Sequence, residues 1–102
     1  MAIVSTKSKD DKDILISVSD RFDFSQYKVF RDSYCDCTNA GTLFRLNLSK
    51  ANYMDSSALG MLLLLKEHAD QIKGKIVIEK PNDSINKVLE IAQFQHLMEI
   101  VI

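Results

Sequence analysis

Leu46-Asn47-Leu48-Ser49-Lys50-Ala51-Asn52-Tyr53-Met54-Asp55-Ser56-Ser57-Ala58-Leu59-Gly60 contains a change of period that decides the fold. Into its first residues, Phe44, Leu46 and Leu48 alternate with Arg45 and Asn47, the two-residue repeat of a strand over residues 42–48. Residues 49–54 read as a loop. From Ser56 the repeat becomes helical and holds to Ile72, where Lys73-Gly74 closes it. At about 100° per residue, Ala58, Met61, Leu62, Leu65, Ala69 and Ile72 share one core face. Ser56, Gly60 and Leu63 fall on the outward side, with Leu59 and Leu64 on opposite flanks. The first two turns are therefore apolar all round, and only the last two are amphipathic.

The flanking segments extend this strand-then-helix alternation in both directions. Upstream, residues 3–6 and 14–18 read as two strands joined by a charged turn over residues 7–13, a hairpin. Tyr27, Phe30, Tyr34 and Cys37 then recur at helical spacing, predicting a helix over residues 24–39 that Asp23 or Ser25 caps. Downstream, residues 75–79 form an apolar-centred strand suited to the sheet interior. Pro81-Asn82-Asp83 stops it and caps a helix carrying Ile85, Val88, Leu89 and Ala92, and residues 98–102 form a last strand. The order β-β-α-β-α-β-α-β predicts one α/β domain over residues 1–102, a mixed, mostly parallel β-sheet with helices packed against it.

Composition narrows the function classes. Thirteen basic against fourteen acidic residues disfavour bulk electrostatic binding of nucleic acid. The longest run without a polar side chain, residues 58–65, is well short of the roughly twenty residues of a membrane span. Charge at Lys7 arrives before an apolar leader can form, so a cytoplasmic protein is expected. Cys35 and Cys37, about 200° apart on a helix, are expected to be reduced and to share no metal. No cofactor is expected, since no Gly-rich phosphate loop or Cys/His cluster occurs.

Asp55-Ser56-Ser57 opens the central helix, and at least one of the three caps it. A helix N-terminus also tolerates a phosphoryl group, because free N–H groups and the positive end of the dipole meet there. Phosphoserine adds about −1.5 to −2 charges, which would oppose apolar docking beside exposed leucines. Leu59, Leu63 and Leu64 admit two readings: another element of the domain covers them, or they form a patch that meets a partner. Gly60 allows close approach of another backbone or reflects drift.

The quoted stretch resembles the signature of STAS domains, the anti-sigma factor antagonist family: a strand, a short loop, then Asp-Ser-Ser/Thr-Gly-Leu-Gly opening a helix. Arg21-Phe22-Asp23-Phe24 stands where that family has Gly-Glu-Leu-Asp, and residues 80–84 with the helix after them also fit. The resemblance implies a small α/β fold and a non-enzymatic switch. A partner serine kinase of the anti-sigma type phosphorylates the serine after the motif Asp, here Ser56; a PP2C-type phosphatase reverses this, and the unphosphorylated form binds its partner. It further implies that Asp55 orients the hydroxyl or assists recognition and that Ser57 caps the helix. Asp23 would contribute to the kinase contact, and Asn52, Gly60 and Leu63 would line the docking face. Two departures are visible. Ala58 replaces the motif Gly, and the sequence ends at Ile102 where many members continue into a helix, which is expected to leave apolar surface for a partner or a homodimer.

Two other classes compete with the switch. Some family members are constitutive accessory subunits of lipid-transport complexes, in which the same helix face docks permanently. An enzyme is disfavoured: Asp-Ser-Ser-Ala is not a nucleophile elbow, and His68 lies about 18 Å along the helix from Ser56. His68 and His96 read as surface or helix-end residues, and Phe22 and Phe24 as packing residues.

Overall fold

Ile3–Lys7 (β1) and Asp13–Phe22 (β2) form the expected hairpin, with Ile3 opposite Val18 and Lys7 opposite Ile14. The computed structural model describes residues 3–10 and 12–102. Met1 and Ala2, from the stretch read for a leader, and Asp11, in the charged turn, lie outside the described residues. Leu43–Met54 (β3), Lys75–Glu79 (β4) and Glu99–Val101 (β5) follow β2 in parallel, giving the sheet order β1-β2-β3-β4-β5. Tyr27–Asp32 (α1), Ser56–Gln71 (α2) and Asp83–Ile91 (α3) connect successive parallel strands. The element order and the mixed, mostly parallel sheet are those expected from the sequence.

The strand order never reverses, so right-handed crossovers place all three helices on one face of the sheet. Burial follows this. Ile14, Ile16, Val18, Phe44, Leu46, Leu48, Ile76 and Ile78 are buried on the helix side. Leu15, Ser17, Arg45, Asn47 and Val77 alternate with them and are half-buried. On that second face Arg45 bridges Asp13 on β2 (2.9 Å) and Glu79 on β4 (3.8 Å). From α2, Ala58, Met61, Leu62, Leu65 and Ala69 enter the core, the face its wheel predicts.

Two segments differ from expectation. Residues 49–54 are not a loop but the second half of β3, paired with Ser19–Phe22 of β2. The helix expected over residues 24–39 is a 3-10 turn at Phe24–Gln26 followed by α1, which ends at Asp32. Tyr34 and Cys37 are still buried, because the turns after α1 fold back on the core. Among the described residues no disulfide joins Cys35 and Cys37.

The end of α2 shows why Lys73-Gly74 closes it. Lys73 takes the left-handed conformation at φ 56°, and Gly74 N–H returns to the Ala69 carbonyl at 2.7 Å, a Schellman closure. Gly74 serves a different need. A Cβ there would lie 2.5 Å from the backbone oxygen of Thr42. Gly74→Ala is therefore expected to cost about 1–3 kcal/mol as β3 and the α2–β4 turn are forced apart, read as a lower urea midpoint. An unchanged midpoint would mean that this junction yields freely.

Candidate functional site

The site forms where β2 and β3 end side by side. Phe22 and Met54, their last residues, are paired and buried. Each strand is followed by an extended aspartate that caps a helical turn. Asp23 accepts from Ser25 N (3.0 Å) and Ser25 Oγ (2.5 Å). Asp55 accepts from Ser57 N (3.0 Å), Ser57 Oγ (2.5 Å) and Ala58 N (3.2 Å). The two turns repeat one pattern, apolar-Asp-x-Ser, on adjacent parallel strands. The x positions are Phe24 and Ser56, and both are exposed.

These hydrogen bonds set the electrostatics. The Ser25 hydroxyl holds the Asp23 carboxyl below the usual carboxylate range, with the Ser25 N–H and Arg21 adding to it against some desolvation. The Ser57 hydroxyl does the same for Asp55, against desolvation and the neighbouring charge of Asp23. Both groups are therefore ionised at neutral pH. A folded pKa below the unfolded value gives stability that is fully present above the unfolded range, near pH 4, and lost as pH falls through the folded pKa. Asp55→Ala is expected to remove about 1 kcal/mol at pH 7, the typical value of an N-cap, and to leave a smaller loss of stability on acidification. Thermal melts from pH 7 to pH 3 read both; identical curves would contradict the capping role.

The bulges of β3 shape the approach to this end. Between the pairs Asp20–Ala51 and Arg21–Tyr53, Asn52 has no opposite residue and is exposed, while Asp20 sits at φ 62°. Asn82, which caps α3 through Ile85 N, also donates to the Ala51 carbonyl at 3.2 Å and ties α3 to the same strand. Arg21 pairs with Asp23 at 3.2 Å and lies over the Tyr53 ring at 4.0 Å from its centroid.

Along α2 the outward stripe begins at Ser56 and continues through Gly60, Leu63 and Leu64, with Leu63 45% and Leu64 44% exposed. Among the described residues, a Cβ on Gly60 would meet nothing within 4 Å, so none of them makes the close approach the sequence allows there. An open cleft between α1 and α2, lined by Tyr27, Arg31, Tyr34, Leu64, Glu67 and His68, adjoins the stripe.

Several expectations need correction. The cap of α2 is Asp55, not Ser57; Ser57 donates to it. The hydroxyl that Asp55 orients is thus that of Ser57, and Ser56 points free of it into solvent. Leu59 is half-buried and packed against the core, so the exposed patch centres on Leu63 and Leu64. Phe22 packs as expected, but Phe24 is 66% exposed, stacked on Tyr27 at 5.4 Å. The repeated Asp-x-Ser was the sequence signal for Phe24, since it places position 24 as the counterpart of Ser56. Ala58 is fully buried, so its methyl group fills core space rather than meeting a partner. His68 lies in the last turn of α2 but is half-buried, its Nε2 2.7 Å from the Cys37 carbonyl and its ring edge-on to Tyr34 and Phe44. His96 is exposed. Among the described residues no group of three or more His, Cys, Asp or Glu is arranged to hold a metal, and no helix is long and apolar enough to cross a membrane.

Comparison with known proteins agrees with this architecture. The family model described as STAS domain matches residues 4–101. A STAS-domain containing protein of Pseudomonas aeruginosa strain UCBPP-PA14 is 37% identical over 100 residues, covering 98% of this chain and 99% of the relative. Among solved structures, a candidate anti-sigma factor antagonist of Thermotoga maritima superposes with a TM-score of 0.80 at 15% identity, over 98% of this chain and 86% of that one. The Bacillus cell fate determinant SpoIIAA in its phosphorylated form gives a TM-score of 0.73 at 16% identity, over 97% and 90% of the two chains. At those identities the solved structures speak for the fold, while the family match and the Pseudomonas relative span nearly the whole sequence. The chain belongs to the STAS-domain family.

Proposed function

We propose that this protein is a non-enzymatic regulatory switch whose partner-binding surface is controlled by phosphorylation of Ser56. The observation that carries this reading is the placement of one exposed hydroxyl at the start of α2, at the head of the exposed Gly60–Leu63–Leu64 stripe. A partner serine kinase would transfer the terminal phosphoryl group of ATP to Ser56 Oγ, with loss of the hydroxyl proton and release of ADP. Water, activated by a PP2C-type phosphatase, would hydrolyse the ester and return the serine. The helix N-terminus accepts the added charge without unfolding. The same charge would stand where an apolar partner surface must seat, so docking and phosphorylation exclude one another. SpoIIAA, a fold neighbour, has been solved in both unphosphorylated and phosphorylated forms.

In this reading Asp55 and Asp23 present two carboxylates to a cationic group of the kinase, Asn52 and Gly60 let the partner backbone approach, and Leu63 supplies apolar contact. Leu59 supports the patch from within the core. A kinase of the anti-sigma type would be both modifier and bound partner, and the switch would act in the cytoplasm. Affinity capture from the native cells with Ser56→Ala and Ser56→Asp as baits tests the reading. One protein kinase held by the first and lost by the second supports it; the same set of proteins on both baits contradicts it.

A further inference from the structure

We propose that the cleft between α1 and α2 binds a small zwitterion, a free amino acid with an apolar side chain. The cleft has a volume of about 310 Å³ and lies between two helical stripes. Tyr27 and Arg31, one turn apart on α1, line one wall, and Leu64, Glu67 and Gln71, at helical spacing on α2, line the other. Tyr34, from the turns after α1, lines it too. Tyr34 is only 5% exposed, yet its hydroxyl has no hydrogen-bond partner among the described residues. Among those residues no fully buried side-chain oxygen is left unpaired. The hydroxyl is therefore the part of this buried side chain that meets water, and it does so in the cleft.

Opposite charges share the cleft with that hydroxyl. Neither Arg31 nor Glu67 has an ion-pair partner among the described residues. Burial raises the Tyr34 phenol above its ordinary range; Tyr27, Cys35 and Glu67 add to this and Arg31 opposes it, so Arg31 and Glu67 both act on the hydroxyl. It is a neutral donor at neutral pH. Two exposed charges alone are ordinary solvated surface, but a buried phenol that keeps an open hydroxyl beside them is not. A carboxylate fits Arg31, whose guanidinium offers paired N–H donors, and the Tyr34 O–H adds another. An ammonium group fits Glu67. A free amino acid carries both groups on one carbon, so one molecule bridges two charges that do not meet each other. Its side chain would lie against Leu64, which is 44% exposed, and the half-buried Tyr27 ring. A phosphate would meet Arg31 equally well but be repelled by Glu67. Leu64 also belongs to the exposed stripe of α2, so a bound amino acid would cover one flank of the surface proposed for the partner.

Titration of the isotope-labelled full-length protein with L-leucine and L-phenylalanine, followed by NMR, tests the proposal. Saturable shifts are expected at Arg31, Tyr34 and Glu67 below about 10 mM ligand. N-acetyl-leucine lacks the ammonium group and leucinamide lacks the carboxylate, and each should bind at least about tenfold more weakly than leucine. Glu67→Gln should erase the advantage of leucine over N-acetyl-leucine, and Arg31→Gln its advantage over leucinamide. Tyr34→Phe keeps the ring in the core and removes only the hydroxyl, and should weaken leucine several-fold. Matching amide spectra of the unliganded variants check the fold. No saturable shift with either amino acid, or equal affinity for leucine and its two blocked forms, overturns the proposal. Neither outcome depends on the state of Ser56, so a failure here is separable from a failure of the switch.

Discussion

Ser56→Asp is expected to weaken binding of the partner at least about 100-fold, equal to roughly 2.7 kcal/mol, while Ser56→Ala stays within about threefold of wild type. The difference follows from where position 56 lies. It is exposed and starts a helix capped by Asp55, so neither variant disturbs the fold. A carboxylate there stabilises the helix dipole by a few tenths of a kcal/mol and adds a third acid beside Asp23 and Asp55. Seated under the partner, that charge must lose water while competing with Asp23 and Asp55 for the one cationic group the partner is proposed to present, which costs several kcal/mol. Titration calorimetry with the captured partner reads the ratio. Equal affinities for the two variants would mean that position 56 lies outside the interface.

Phe44→Ala is expected to lose about 3–5 kcal/mol of stability, a large part of the roughly 5–15 kcal/mol that holds a domain of this kind. Phe44 is fully buried in β3, the middle strand, with its ring edge-on to Tyr34 (6.5 Å) and His68 (5.9 Å). Truncation would leave a cavity bounded by β3, the turns after α1 and the last turn of α2, where backbone on three sides resists collapse. Urea unfolding should show a midpoint lower by more than about 1 M. Leu63→Ala is the matched control. Its side chain is half in solvent, so stability should change by less than about 1 kcal/mol while partner affinity falls at least about tenfold. A Leu63→Ala variant as unstable as Phe44→Ala would show that the stripe serves the fold and not a partner.

The order of elements was legible because strand-like runs over residues 14–18, 42–48 and 75–79 alternate with helical spacing from Tyr27 and from Ser56. The core face of α2 was legible for the same reason. The second half of β3 was not. Its two bulges put Ala51 and Met54 inward while Ser49, Lys50, Asn52 and Tyr53 stay exposed, a pattern with neither period. Pairing with β2, a tertiary fact, makes it a strand. The length of α1 failed in the opposite sense. Tyr34 and Cys37 keep helical spacing, but they reach the core from turns, so the period persisted after the helix had stopped.

At the site, Asp55-Ser56-Ser57 marked its own place because a cap, an exposed hydroxyl and an apolar helix are local features. Which residue caps depended on the extended backbone of Asp55, and whether Leu59 is covered depended on packing. Neither is visible in a helical wheel. Arg21 on Tyr53 depends on the strand register after the bulges, which no single-strand reading supplies.

Intact-mass and phosphopeptide analysis of the protein from its native cells, across several growth conditions, tests the central claim most directly. The account predicts one phosphoryl group on the peptide containing Ser56, absent from Ser56→Ala and removed by a PP2C-type phosphatase. An unmodified Ser56 under every condition, together with a transporter ATPase that co-purifies regardless of Ser56→Asp, would contradict the switch and make the outward stripe of α2 a permanent docking face.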